Sequence, residues 1–297
     1  MFVYSDMTRY RFNMTEEELI HNLIRLALSE DIGDGDHTTL CSIPETEEGQ
    51  SRLLIKEEGI LAGVDVAIDV FHTFDPELQV EIFLGDGSHV KPGDVAFIVS
   101  GKVRSILQTE RLVLNIMQRM SGIATITNKY MKRLEGTSAK VLDTRKTTPG
   151  MRILEKQAVK IGGGENHRIG LFDMILLKDN HVDFAGGIEN AIRGAQNYLK
   201  ERNKRLRIEI EVRNLDELEE ALRIGGVDRI MLDNFTPGET LRAVETVKAV
   251  DGRVELESSG GITIDTIREF AETGVDYISV GALTHSVKSL DMSLKAI

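Results

Sequence analysis

The sequence predicts an α/β protein in two parts: an α+β N-terminal region, then a longer region where short strands alternate with helices in a reduced or open barrel. Three observations carry this reading. Short alternating segments, separated by Gly, Asp and Pro, crowd the stretch before Thr109; six apolar runs follow Leu134; and amphipathic stretches lie between those runs. At 297 residues the chain exceeds the usual size of one domain, so one large barrel or two domains sharing an interface is expected.

The elements follow in order. Thr15 with Glu18 forms a capping box, and Leu19, Ile20, Leu23, Ile24, Ala27 and Leu28 recur behind it at helical spacing. A first amphipathic helix is expected there. After the turn-rich IGDGDHTT, the segments SRLLIKEEG, VEIFLG and DVAFIVSGKV read as antiparallel strands. The hairpin GDGSHVKPGD loosely resembles carrier loops that hold a cofactor on a lysine, but Lys91 precedes Pro92 and has no flanking Met, so a plain turn is preferred. From Thr109 to Leu134 the positions Leu112, Ile116, Met120, Ile123, Tyr130 and Leu134 predict one long bridging helix.

The pattern then changes. AKVLDTRK, DMILLKDNH, RIEIEVRN, DRIMLDN, RVELESSGG and DYISVGAL end near Asp143, Lys178, Glu211, Asp233, Ser258 and Gly281, at spacings of 35, 33, 22, 25 and 23 residues. That rhythm is βα repetition, which implies a parallel sheet with ligands at the C-terminal ends of its strands. Six units rather than eight argue for a smaller or open barrel.

Composition narrows the function. Hydrophobic residues at 41% and charged residues at 28% are globular values, and charges such as Asp65 and Asp69 break the longest apolar runs too early for a bilayer span. The opening MFVYSDMTRYRF lacks the pattern of a secretory signal, so the cytoplasm is expected. Cys41 is the only cysteine, which excludes an intrachain disulfide and a thiolate zinc site; a small buried side chain is its expected role. A net charge of -12 opposes nucleic acid. Between Asp143 and Lys178, however, seven Lys or Arg face four acids, a local +3 that leaves -15 elsewhere. A basic island in an acidic protein suggests a polyanionic small ligand. A solvated helix face would account for Lys156 and Lys160, but not for cations beside strands.

The chemistry-bearing residues sit at the strand ends. Arg145 and Lys146 in LDTRKTTPGMR pair a planar fork with a mobile point charge, suited to a ligand with several anionic groups; ordinary ion pairing is the alternative. The loop GGGENHRIG permits close backbone approach and adds His167 and Arg168, although it could simply end a helix. Lys178 in LLKDNH, with His181 nearby, is either an anion ligand or a Schiff-base nucleophile. Glu211 and Asp233 end successive strands and should face one cavity, as ligands for magnesium, ribose hydroxyls or a developing cationic carbon. ESSGG and SVGALTHS offer backbone N–H groups for a phosphate; small-residue packing is their alternative.

With these motifs in view, the chain resembles the quinolinate phosphoribosyltransferase family along nearly its whole length. ERLVLN, SGIAT, LDTRKTTPGMR, GGGENHRIGLFD, LLKDNH, LDN, ESSGGI and VGALTH stand in the family's order. The resemblance implies an N-terminal α/β sandwich domain over residues 1–114, joined by the segment 284–297 and packed on an open, incomplete β/α barrel over residues 115–283. It implies a homodimer in NAD biosynthesis. By motif, Arg145, Arg168 and Lys178 would hold the carboxylates of quinolinate, with His167 beside them, and Arg111 of ERLVLN would enter the partner subunit's site. Lys146, Glu211 and Asp233 would serve phosphoribosyl pyrophosphate and its Mg2+, and Ser259, Gly260, Gly261 and Gly281 its 5′-phosphate. The chain departs from the family's habit at Arg213, where an acid is common, and at His37, where a β-branched residue is common. The first thirteen residues extend ahead of the family's usual start and receive no role.

The implied reaction joins the quinolinate nitrogen to the anomeric carbon, expels pyrophosphate and releases CO2, with the pyridinium as electron sink, so no pyridoxal or thiamine is expected. Three rivals remain: a same-fold transferase acting on another heterocyclic acid, a Schiff-base aldolase using Lys178, and a non-catalytic anion carrier.

Overall fold

The computed structural model describes residues 14–250 and 253–297. The reading of residues 1–13, including the absence of a signal pattern, therefore lies outside the described residues.

Helix α1 (Glu16–Ile32) starts at the Thr15–Glu18 capping box, in which each residue's side chain accepts the other's backbone N–H. Then come α2 (His37–Ser42), β1 (Glu48–Ile55), β2 (Gly59–Ile60), α3 (Val64–Phe74), β3 (Gln79–Ile82), β4 (His89–Val90) and β5 (Val95–Lys102). The GDGSHVKPGD turn carries β4, which pairs antiparallel with β2. The main N-terminal sheet is antiparallel in the order β12-β1-β5-β3, where β12 (Met292–Ala296) returns from the end of the chain to pair with β1. Helices α1, α3 and α4 (Val103–Arg133) bury Ile24, Val70, Phe71, Ile106 and Val113 together with the strand residues Leu53, Phe97 and Val99.

Helix α4 begins earlier than its apolar spacing predicts. Ser105 and Thr109 are buried polar residues that break the pattern, yet their hydroxyls are satisfied, Ser105 by Asp75 at 2.7 Å and Thr109 by the Ser105 carbonyl at 2.8 Å. Cys41 corrects a second expectation: it is exposed on α2, where Thr39 is the buried residue.

The second half alternates as its rhythm predicts: β6 (Lys140–Leu142), α5 (Arg152–Ile161), β7 (Ile175–Leu177), α6 (Asp179–Ala185), α7 (Ile188–Glu201), β8 (Ile208–Val212), α8 (Leu215–Ile224), β9 (Arg229–Asp233), α9 (Pro237–Val250), β10 (Glu255–Ser259), α10 (Ile267–Ala271), β11 (Tyr277–Ser279) and α11 (Ala282–His285). All pairs are parallel, in the order β6-β11-β10-β9-β8-β7. No ladder joins β6 to β7 among the described residues, so the barrel stays open along that seam, as six units imply.

Strand period two divides each strand between two environments. Ile208, Ile210, Val212, Ile230 and Leu232 join the apolar core packed by Leu218, Ala221, Ala243 and Val247 of the helices. The alternate positions Glu209, Glu211 and Glu257 face the interior and are buried carboxylates.

Candidate active site

A cavity of about 840 Å³ opens at the C-terminal strand ends, and eleven of the twelve sequence-predicted site residues line it: Arg145, Lys146, His167, Arg168, Lys178, Glu211, Asp233, Ser259, Gly260, Gly261 and Gly281. Register explains the gathering. Lys178 follows β7, in which Leu176 pairs with Glu209, so Lys178 and Glu211 project on one side; Asp233 pairs with Ser259 across β9 and β10.

One wall is cationic. The Nε of Arg145 is buried without a protein partner, which leaves a donor free for an anion. Arg168 Nη1 donates to the Met174 carbonyl at 3.3 Å. Burial, then the neighbouring Arg145, holds the Arg168 guanidinium below its ordinary pKa. The Lys178 Nζ lies 3.4 Å from Glu211, and its side chain is 47% exposed. That is not the dry apolar pocket a Schiff-base lysine requires.

Glu211 and Asp233, on the neighbouring strands β8 and β9, continue from Lys178 along the strand ends. Burial raises the Glu211 carboxyl above its ordinary value, Lys178 opposes this, and Asp233 adds to it. Beside them, Gly260 and Gly261 take positive φ of 96° and 63°. A Cβ on Gly260 would stand 2.2 Å from Asn234 Oδ1, so only glycine lets this turn close against Asn234.

The floor was not foreseen. His167 Nδ1 accepts the Arg168 N–H at 2.7 Å, while its Nε2 faces Glu209 at 3.0 Å and Glu257 at 3.5 Å. Arg229 donates to Glu257 at 3.0 Å and stacks on Tyr277 at 3.9 Å. Burial pushes both Glu209 and Glu257 up to about 7 and pulls His167 below its ordinary value. Arg229 is shared between Glu257 and Glu255, which accepts from it at 3.1 Å, so the guanidinium does not neutralise the interior carboxyls by itself. His167, Glu209 and Glu257 place donor atoms within 4.8 Å of one another, close enough to hold a proton among them. The extra proton belongs to the folded state, so stability should fall as pH rises from the ordinary carboxylate range towards about 7. Glu257→Gln, neutral at every pH, should flatten that decline in thermal midpoints; an unchanged slope would place the proton elsewhere.

Lys156 corrects the reading of a solvated helix face. It is fully buried, ion-paired with Asp143 and donating to the His167 carbonyl at 3.0 Å, and thereby anchors the GGGENHRIG loop to β6. Arg111, the twelfth residue, does not line this cavity. It is exposed on α4, with exposed Leu107 one turn before it, and no hydrogen bond or ion pair holds it among the described residues.

The family model described as quinolinate phosphoribosyl transferase, N-terminal domain, matches residues 36–121, and its C-terminal domain counterpart matches residues 123–295. The chain belongs to this family. As a quinolinate phosphoribosyltransferase it is 46% identical over 285 residues to a chloroplastic carboxylating nicotinate-nucleotide pyrophosphorylase of Oryza sativa, covering 92% of this chain and 76% of that one. A probable enzyme of the same name from Bacillus subtilis is 42% identical, with 89% of each chain covered. Among solved structures, the nicotinate-nucleotide pyrophosphorylase of Francisella tularensis superposes with a TM-score of 0.85 at 40% identity, covering 96% of this chain and 98% of the other. Human nicotinic acid phosphoribosyltransferase, at 14% identity and a TM-score of 0.61, shares the fold alone.

Proposed function

We propose that this quinolinate phosphoribosyltransferase transfers phosphoribose from phosphoribosyl pyrophosphate to quinolinate with loss of CO2, in NAD biosynthesis. The observation that carries the reading is that one cavity gathers the cations Arg145, Arg168 and Lys178 with the carboxylates Glu211 and Asp233 beside a glycine turn. Three cations suit a pyridine dicarboxylate: the Arg forks engage carboxylates in two-point contacts and Lys178 adds a point charge. Open space lies at Gly261 for a phosphate against backbone, and Lys146 and His285 flank Gly281 on the same cavity.

Held in this cavity, the quinolinate nitrogen attacks the anomeric carbon as the bond to pyrophosphate breaks. The anomeric carbon turns cationic, and Glu211 or Asp233 stabilises it. The product pyridinium draws the electron pair of the adjacent carboxylate bond onto the ring carbon, CO2 leaves, and that carbon takes a proton from solvent to give nicotinate mononucleotide. Positioning and charge neutralisation are the protein's share. Glu211 and Asp233 are hard oxygen donors that would hold Mg2+, which supplies charge neutralisation for the pyrophosphate when bound.

The reading includes a homodimer in which Arg111 enters the partner's cavity; its exposure, its lack of an intrachain partner and the exposed Leu107 beside it support this. Among the described residues no helix is long and apolar enough to cross a membrane. A cytoplasmic site completes the reading, which cell fractionation tests, since plant relatives are named chloroplastic and mitochondrial. The activity test is incubation with quinolinate, phosphoribosyl pyrophosphate and magnesium. Label from the 2-carboxylate should appear as CO2 in step with nicotinate mononucleotide; turnover of nicotinate instead would favour a same-fold transferase of other specificity.

A further inference from the structure

The loop carrying Arg145 and Lys146 is exposed at Lys146, Thr148, Pro149 and Gly150, yet one buried ion pair ties it down. Arg119 of α4 donates through Nε to Glu155 Oε1 of α5 at 2.7 Å, and its Nη2 lies 2.6 Å from the same oxygen. That Nη2 also reaches Thr148 Oγ1 at 2.8 Å and the Thr284 carbonyl of α11 at 3.0 Å. Glu155, fully buried, accepts the Thr148 N–H on its other oxygen at 3.1 Å. Thr284 closes the circuit, its hydroxyl donating to the Lys146 carbonyl at 3.0 Å.

One guanidinium and one carboxylate thus join three stretches that are distant in sequence: α4, the Thr148 loop with the α5 that follows it, and α11. Two of them are the two faces of a single subsite: Lys146 packs its Cδ 3.3 Å from where a Cβ on Gly281 would stand, and Thr284 is on the helix that leaves Gly281. Neither Arg119 nor Glu155 lines the cavity. A planar fork shared among a carboxylate, a hydroxyl and a carbonyl fixes distances that a lysine ammonium cannot reproduce.

We propose that Arg119 and Glu155 are positioning residues for Lys146, holding the 144–151 loop at a set distance from the Gly281 turn so that both meet phosphoribosyl pyrophosphate together. This rests on the reading that Lys146 serves that substrate. Stripping the buried carboxylate of its partner would unbalance the fold, so the test keeps the charge: Arg119→Lys, with Thr284→Val as a second variant that removes the hydroxyl contacts to the Lys146 and Gly281 carbonyls while leaving the Arg119–Glu155 pair in place.

Both variants are assayed against each substrate separately and again in a Lys146→Ala background. Arg119→Lys should lower kcat/KM for phosphoribosyl pyrophosphate by about tenfold or more, since small misplacements of a catalytic group are costly. Its KM for quinolinate should change less, because Arg145 rides on the same loop but quinolinate is also held by Arg168 and Lys178 from outside it, and Thr284→Val should show the same selectivity with a smaller loss. In the Lys146→Ala background neither change should cost anything further, because each acts through that lysine. Unchanged kinetics, equal losses for both substrates, or losses that multiply with Lys146→Ala would overturn the inference. If Lys146→Ala alone behaves as wild type, the failure lies instead in the role given to Lys146.

Discussion

Lys146→Ala is expected to lower kcat/KM for phosphoribosyl pyrophosphate by on the order of 10² to 10³, the usual loss when one preorganised donor to developing charge is removed. The thermal midpoint should hardly move. Lys146 is exposed, its backbone N–H is held by Thr144 Oγ1 at 3.0 Å and its carbonyl by Thr284, and neither contact needs the ammonium. Removing it leaves the cavity's cationic side to Arg145, Arg168 and Lys178, which face the proposed dicarboxylate. Quinolinate affinity should therefore survive, by direct titration, while turnover collapses. A variant that loses both in equal measure would mean that Lys146 belongs to the quinolinate wall.

The gathering of these side chains in one cavity was readable because strand ends announce themselves. Arg145, Lys178, Glu211 and Asp233 each follow a short apolar run, and a parallel barrel sends whatever follows such runs into one space. The residues beneath were hidden for the opposite reason. Glu209, Arg229 and Glu257 stand inside strands, where EIEV and VELESS alternate like a strand with one wet face. In the folded chain that face is the barrel interior, where Glu209, Arg229 and Glu257 are buried with His167. Composition could not separate those two environments, since both alternate with period two.

Long-range ion pairs were illegible for a related reason. Lys156 sits on α5 at a spacing that suits a solvated face, but the open seam leaves Asp143 at the end of β6 in need of a partner, and Lys156 turns inward to supply it. Arg119 and Glu155 are 36 residues apart and meet only because α4 and α5 pack together. Cys41 misled by type: cysteine is commonly buried, yet α2 is a single short surface helix with one inward position, and Thr39 holds it.

The largest recovery of activity is expected from mixing two dead proteins. If Arg111 crosses to the partner while Lys146 serves its own barrel, then Arg111→Ala and Lys146→Ala each inactivate every site of their own homodimers. A mixed dimer distributes the lesions unequally. One cavity has its own Lys146 missing and also receives the altered Arg111 position; the other keeps its lysine and receives an intact arginine. After free exchange of equal amounts, half the dimers are mixed and half of their sites are whole, so activity should return to about a quarter of wild type. The exposed, unpaired Arg111 on α4, outside its own cavity, is the geometry this requires. Exchange is verified by mass, and activity is then read at saturating quinolinate and phosphoribosyl pyrophosphate. If mixed dimers form and activity stays at the level of either parent, Arg111 does not complete a neighbour's site, and its exposed position on α4 needs another explanation.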